Sequence, residues 1–152
     1  MALWDLQYEE KVDKLKTRVL KYVVYKKRSC YEVREKFKDE DQDILEEVIS
    51  RLTELGYIDD LNYVERSINE FFAIKNMSLK EITYKLISKG INKNIIDDYI
   101  YNHKDELLDY EIKSAKNIII KKQNQMEPED IKNYLFKKGY MSETIKLAFE
   151  DF

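Results

Sequence analysis

Apolar residues near the start of the chain recur at steps of four, three, four and three: Tyr8, Val12, Leu15, Val19 and Tyr22. That spacing places them on one side of an α-helix, predicted from about Asp5 to Lys27. The helix ends in Lys26-Lys27-Arg28, where cations suit the negative end of the helix dipole. Ser29 and Glu32 stand three apart as a capping box and start a short second helix with Val33 and Phe37 facing inward. Asp39-Glu40-Asp41 predicts a turn and the anionic start of a third helix. Its inner face is Ile44, Leu45, Val48, Ile49, Leu52 and Leu55, and Gly56 falls at the left-handed position after its end.

Asp59 is the expected cap of a helix with Val64, Ile68, Phe71 and Phe72 inside. Ser78 and Glu81 form a second capping box, and Gly90 stops the helix it opens. Ile95, Ile96, Tyr99 and Ile100 mark a further short helix. A long one begins near Asp105 with Leu108, Ile112, Ala115 and Ile119 inside, and carries Lys121-Lys122 at its end. Glu127-Pro128 restarts the chain with proline at a first helical position, Gly139 ends that helix, and Ser142 is expected to cap the last, which carries Ile145, Ala148 and Phe149.

These elements come round at a fixed step. Ser29, Ser78 and Glu127 are 49 residues apart (78 − 29 and 127 − 78), and Val33, Ile82 and Ile131 fall in the same register, as do Phe37, Leu86 and Leu135. A period of this size predicts one supersecondary unit used three times. The expected architecture is all-α: tandem three-helix repeats over 1–56, 57–103 and 104–152, in an elongated, curved arrangement. Function is expected on an extended surface rather than in one deep pocket.

Composition supports helix and narrows the function classes. Three glycines and one proline in 152 residues leave few helix breakers. With 43% hydrophobic and 38% charged residues the chain is neither a disordered tail nor a membrane protein. Met1-Ala2-Leu3-Trp4-Asp5 reaches a charge within five residues, unlike a secretory signal. The single cysteine, Cys30, has no intramolecular partner, which fits a reducing cytoplasm. A net charge of −3 argues against a dedicated binder of nucleic-acid phosphates.

No catalytic constellation stands out. His103 is the lone histidine, placed just past a helix end where a capping or solvent-facing role is expected. Cys30 lies inside a capping box with no base near in sequence, as a small half-buried thiol would. No His/Cys spacing suits zinc, no glycine-rich loop suits phosphate, and no cofactor is expected. Asp59-Asp60 reads as a helix start, Asp97-Asp98 as a solvated face. Tyrosines beside lysines (Tyr22, Tyr25, Tyr134, Tyr140) suit either small helical cores or the stacking of bases.

The run Lys27-Arg28-Ser29, Glu32-Val33-Arg34-Glu35-Lys36-Phe37, then Ile49, Leu52, Leu55-Gly56-Tyr57-Ile58-Asp59-Asp60 and Tyr63-Val64, resembles the RecX regulators of the RecA recombinase. So do Ile82, Lys85-Leu86, Lys89-Gly90-Ile91 and the closing Tyr134-Leu135, Lys138-Gly139-Tyr140. The first unit departs by carrying Lys38-Asp39 in place of a Lys-Gly pair. The resemblance spans Leu15 to Phe149. It implies three tandem three-helix repeats forming a curved, elongated monomer with no enzymatic activity. It also implies that the monomer lodges in the groove of the RecA–single-stranded-DNA filament and limits ATPase activity, recombination and coprotease function. Single-stranded DNA is a further expected partner, and a stand-alone nucleic-acid module or a generic helical adaptor is the alternative. Charge and repeat position then select Lys26, Lys27, Arg28, Lys85, Lys89, Lys121, Lys122, Lys137 and Lys138 as candidate RecA or DNA contacts.

Overall fold

The computed structural model describes residues 3–152. Met1 and Ala2 of the N-terminal stretch lie outside them. The described residues form nine helices and no strand: α1 Leu3–Tyr25, α2 Cys30–Lys36, α3 Gln42–Glu54, α4 Asp60–Ile74, α5 Leu79–Ser88, α6 Lys93–Asn102, α7 Lys104–Lys122, α8 Pro128–Lys138 and α9 Ser142–Phe149. They fall into two compact units. One runs up to Val64 and includes Lys89–Ile91, and the other holds Glu65–Ser88 and Asn92–Phe152.

In the first unit α1 lies along α3. Val12, Leu15, Val19 and Val23 meet Ile44, Leu45, Val48, Ile49 and Leu52, with Val33, Phe37 and Ile58 completing the core. Tyr8 and Tyr22 pack at its edge rather than inside, because their rings flank the valine stripe. Leu55 is exposed, contrary to expectation. The helix has already ended at Glu54, and Gly56 turns the chain at φ +82°. The basic run Lys26-Lys27-Arg28 is also not in the last turn of α1. Ser29 needs extended backbone (φ −77°, ψ 162°) to cap α2, so the chain leaves the helix at Tyr25.

In the second unit α7 packs against α9, and Ala115, Ile118 and Ile119 meet Ile131, Leu135, Tyr140, Ile145 and Ala148. The buried face of α7 is Leu107, Tyr110, Glu111, Ser114, Ala115, Ile118 and Ile119, rotated from the expected stripe so that Leu108 and Ile112 are only half-buried. Two polar residues inside that face, Glu111 and Ser114, hide it from a reading based on apolar spacing. Both are fully buried and both are hydrogen-bonded.

Candidate partner-binding surface

Two of the candidate cations, Lys89 and Lys138, stand at turns whose backbone is pinned by helix caps. In the first unit Ser29 Oγ accepts the Glu32 amide N–H at 3.1 Å while Glu32 Oε1 accepts the Ser29 N–H at 3.2 Å, the reciprocal box. The hydroxyl proton of Ser29 is left over, and it goes to the carbonyl oxygen of Lys89 at 3.1 Å. The Cys30 N–H, another donor of the first turn, goes to Asp60 Oδ1 at 2.9 Å. In the second unit the pattern recurs. Ser78 and Glu81 exchange bonds of 3.1 Å, Ser78 Oγ donates to the Lys138 carbonyl at 2.8 Å, and the Leu79 N–H donates to Glu111 Oε2 at 2.8 Å. Both serines are fully buried. Each thus fixes a Lys-Gly turn, Lys89-Gly90 or Lys138-Gly139, whose glycine takes φ +78° or +101°.

Glu111 does a second job. Its Oε1 accepts the Met141 N–H at 3.1 Å, so one buried carboxylate satisfies amides at the starts of both α5 and α9. This replaces the expected cap by Ser142: Met141 occupies the cap position, and its backbone is held by Glu111 rather than by a side chain of its own turn. Below it, the Tyr110 hydroxyl and Ser114 Oγ both donate to the Met77 carbonyl, at 2.9 and 3.1 Å. Ser114 has then used its proton, so the Tyr140 hydroxyl donates to Ser114 Oγ across 2.6 Å. Tyr140 is therefore a core residue and not a platform for bases. Burial pushes its hydroxyl, and that of Tyr110, above the ordinary tyrosine range.

The candidate cations divide into engaged and exposed ones. Arg28 is half-buried. Its guanidinium lies 4.3 Å from the Tyr22 ring centre and 3.9 Å from Glu32, where it serves the box of the first unit. Lys138 does the corresponding work in the second unit, with Nζ 3.1 and 3.2 Å from the two Glu81 oxygens and 3.1 Å from the Asn76 carbonyl. Because Arg28 fills that role in the first unit, Lys89 keeps its side chain in solvent. Lys26, Lys27, Lys85, Lys121 and Lys137 are likewise exposed. Lys85 Nζ lies 5.8 Å from the Phe71 ring centre and Lys122 Nζ lies 4.4 Å from that of Tyr134, which is itself exposed.

The residues screened for chemistry have structural roles. His103 stacks on Tyr99 at 4.0 Å and its Nδ1 lies 2.8 Å from the Tyr99 carbonyl oxygen. Cys30 is half-buried, and burial together with the Asp60 carboxylate raises its thiol pKa, the opposite of an activated nucleophile. Asp59 Oδ1 accepts the Asn62 N–H at 3.1 Å as the cap of α4. Among the described residues no group of three or more His, Cys, Asp or Glu side chains could hold a metal ion, and no helix is long and apolar enough to cross a membrane. Charge and periodicity did not point to Glu111 or Ser114, and nothing short of the three-dimensional positions of two helix starts would have.

No protein-family model matches the chain. A protein named regulatory protein RecX from Halalkalibacterium halodurans is 29% identical over 97% of this chain and 58% of its own length. Another of that name from Finegoldia magna is 31% identical over 84% of this chain and 66% of its own length. The chain thus spans about three fifths of the length of the curated relatives it matches. The crystal structure of RecX from Lactobacillus salivarius superposes with a TM-score of 0.79 at 24% identity, covering 94% of this chain and 97% of that one, which establishes the common fold. With the Gly56-to-Asp60 and Lys-Gly turns in place and this likeness running along nearly its whole length, the chain belongs to the RecX family.

Proposed function

We propose that this chain is a non-enzymatic regulator that binds the filament RecA forms on single-stranded DNA and lowers RecA's ATPase, recombinase and coprotease activity. The supporting observation is the pair of pinned turns. A buried serine hydroxyl holds the carbonyl of Lys89 in one unit and of Lys138 in the other. Lys89 is thereby presented in solvent from fixed backbone, and Lys137 is exposed on α8 beside the pinned Lys138. Cations presented from ordered backbone lose little freedom on binding. Several weak contacts, from these two turns and the other exposed lysines, act together on a polymer with repeating subunits. RecA is the partner that the family resemblance implies, and a monomer is the form that suits a groove.

The test is DNA-stimulated ATP hydrolysis by the cognate RecA as this chain is added. A dose-dependent fall is expected. An unchanged rate at several-fold excess over filament protomers removes the proposal.

One observation favours a second reading. The exposed Tyr134 ring beneath Lys122 has the make-up of a base-stacking platform with a phosphate contact. Tight binding of labelled single-stranded DNA without RecA, with a steep fall as salt rises, would select that reading.

A further inference from the structure

The second unit contains a cavity of about 490 Å³ that the caps and turns leave unused. Leu79 of α5, Ile100 of α6, Leu107 and Leu108 of α7 and Met141 at the start of α9 supply apolar walls. Glu111 also reaches it, but both of its oxygens are occupied by backbone N–H groups, so this carboxylate leaves the floor mostly apolar. The mouth carries Lys80 and Lys104 against one exposed carboxylate, Glu143. Neither lysine is in an ion pair among the described residues. Lys104 lies over the ring of Tyr101, at 4.3 Å, on the adjoining end of α6.

The cavity does not end at its mouth. Lys80 and Thr83 line it, and Tyr84 and Ile87 continue the same side of α5 at the i, i+3, i+4, i+7 spacing of one helical face. Tyr84 is 61% exposed, Ile87 41% and Met141 48%. A stripe of this kind is about 10 Å long. It adds an apolar track to an apolar pocket, with cations beside both.

We infer that this groove docks a peptide segment of the protein partner, one or two apolar anchor side chains entering the cavity and flanking carboxylates meeting Lys80 and Lys104. The inference rests on the reading that a RecA filament is that partner, and it assigns the contact to a place outside the basic turns. An elongated track at helical spacing suits a peptide, and a largely apolar floor suits an apolar anchor. The excess of cations at the mouth selects for acidic neighbours and against basic ones.

Two variants test it, both made at exposed positions so that folding is kept: Lys80→Glu/Lys104→Glu and Tyr84→Ala/Ile87→Ala, with helicity checked by circular dichroism. Lys14→Glu, on α1, serves as the control. Two readouts are taken, half-inhibition of the cognate RecA ATPase and the fluorescence of anilinonaphthalene sulfonate, an apolar anion that matches the groove. Each variant is expected to raise the half-inhibiting concentration about tenfold or more and to abolish saturable dye binding, with the control unchanged in both. Full inhibition by both variants overturns the groove while leaving the regulator reading intact. If the wild type itself fails to inhibit, the regulator reading falls and takes the partner assignment with it, whatever the dye shows. A loss confined to single-stranded DNA binding in the absence of RecA gives the groove to nucleic acid and also overturns the proposal.

Discussion

The hydroxyl of Ser78 accepts the amide N–H of Glu81 at 3.1 Å and donates its own proton to the carbonyl oxygen of Lys138, 60 residues away, at 2.8 Å. Ser29 treats Glu32 and Lys89 in the same way, again across 60 residues. A capping serine usually stabilises one helix start. Here the same atom ties that start to a distant turn, so local and tertiary structure share one group.

Removing that hydroxyl therefore removes two bonds at once. Ser78→Ala is expected to destabilise the protein by about 2 kcal/mol, above the usual ~1 kcal/mol for a lost cap. Ser29→Ala should behave alike. Urea unfolding followed by circular dichroism gives both values, and a loss no larger than an ordinary cap would show that the long-range bond contributes nothing.

Glu111 is the more severe case. Glu111→Ala strands the Leu79 and Met141 N–H groups in the interior, with an expected cost of about 3 kcal/mol. Glu111→Gln keeps one acceptor and turns an NH₂ towards the other N–H, for about half that cost. Thermal melts of the two variants should rank them in this order below the wild type.

Much of this fold can be read from the chain, and the exceptions share a physical cause. Capping boxes, positive-φ glycines and the α3 stripe from Ile44 to Leu52 are local, set by residues close in sequence, and they stand where the sequence places them. Glu111, Ser114 and the serine-to-lysine bonds join residues 26 to 60 apart. No local pattern encodes them, and a glutamate inside a buried stripe reads as a break in the stripe. Among the candidate contacts, charge alone could not separate Arg28 and Lys138, which are engaged with the capping boxes, from Lys89 and Lys137, which face solvent.

The glycines offer a graded comparison. Gly56 has φ +82° and open space around the position of a Cβ, so Gly56→Ala should cost only the backbone penalty of about 1 kcal/mol. A Cβ on Gly90 would stand 2.0 Å from Tyr31 Cγ and 2.1 Å from its Cβ, so Gly90→Ala should cost about 3 kcal/mol. Tyr31→Ala would keep the clashing Cβ, so the companion change is Tyr31→Gly, which clears every clashing atom and leaves only backbone penalties. A double-mutant cycle from denaturant midpoints measures the difference.

Burial also raises the Tyr99 hydroxyl and the Cys30 thiol, but the buried, hydrogen-bonded Tyr110 and Tyr140 offer the clearest test of the response to alkali. Burial raises both above the ordinary value near 10, so the folded state keeps protons that the unfolded chain releases. Their contribution is fully present below about pH 10 and is lost as pH rises from there towards the folded values, by about 1.4 kcal/mol per pH unit for each tyrosine. Melting temperatures from pH 8 to 12 should fall along that limb. Tyr140→Phe should flatten it, because one of the two protons is then absent from both states.

At the 49-residue step the place held by Cys30 and Leu79 is taken by Pro128, and the place held by the two serines by Glu127. Proline has no amide hydrogen to give, and Glu127 makes no side-chain cap. The entrance to α8 is therefore the one among these three starts with no bolt across it, and transient breathing should begin there. In deuterium exchange the amides at the start of α8 should label well before those of Cys30 and Leu79, making this the first of the three starts to yield to a protease or to a remodelling partner.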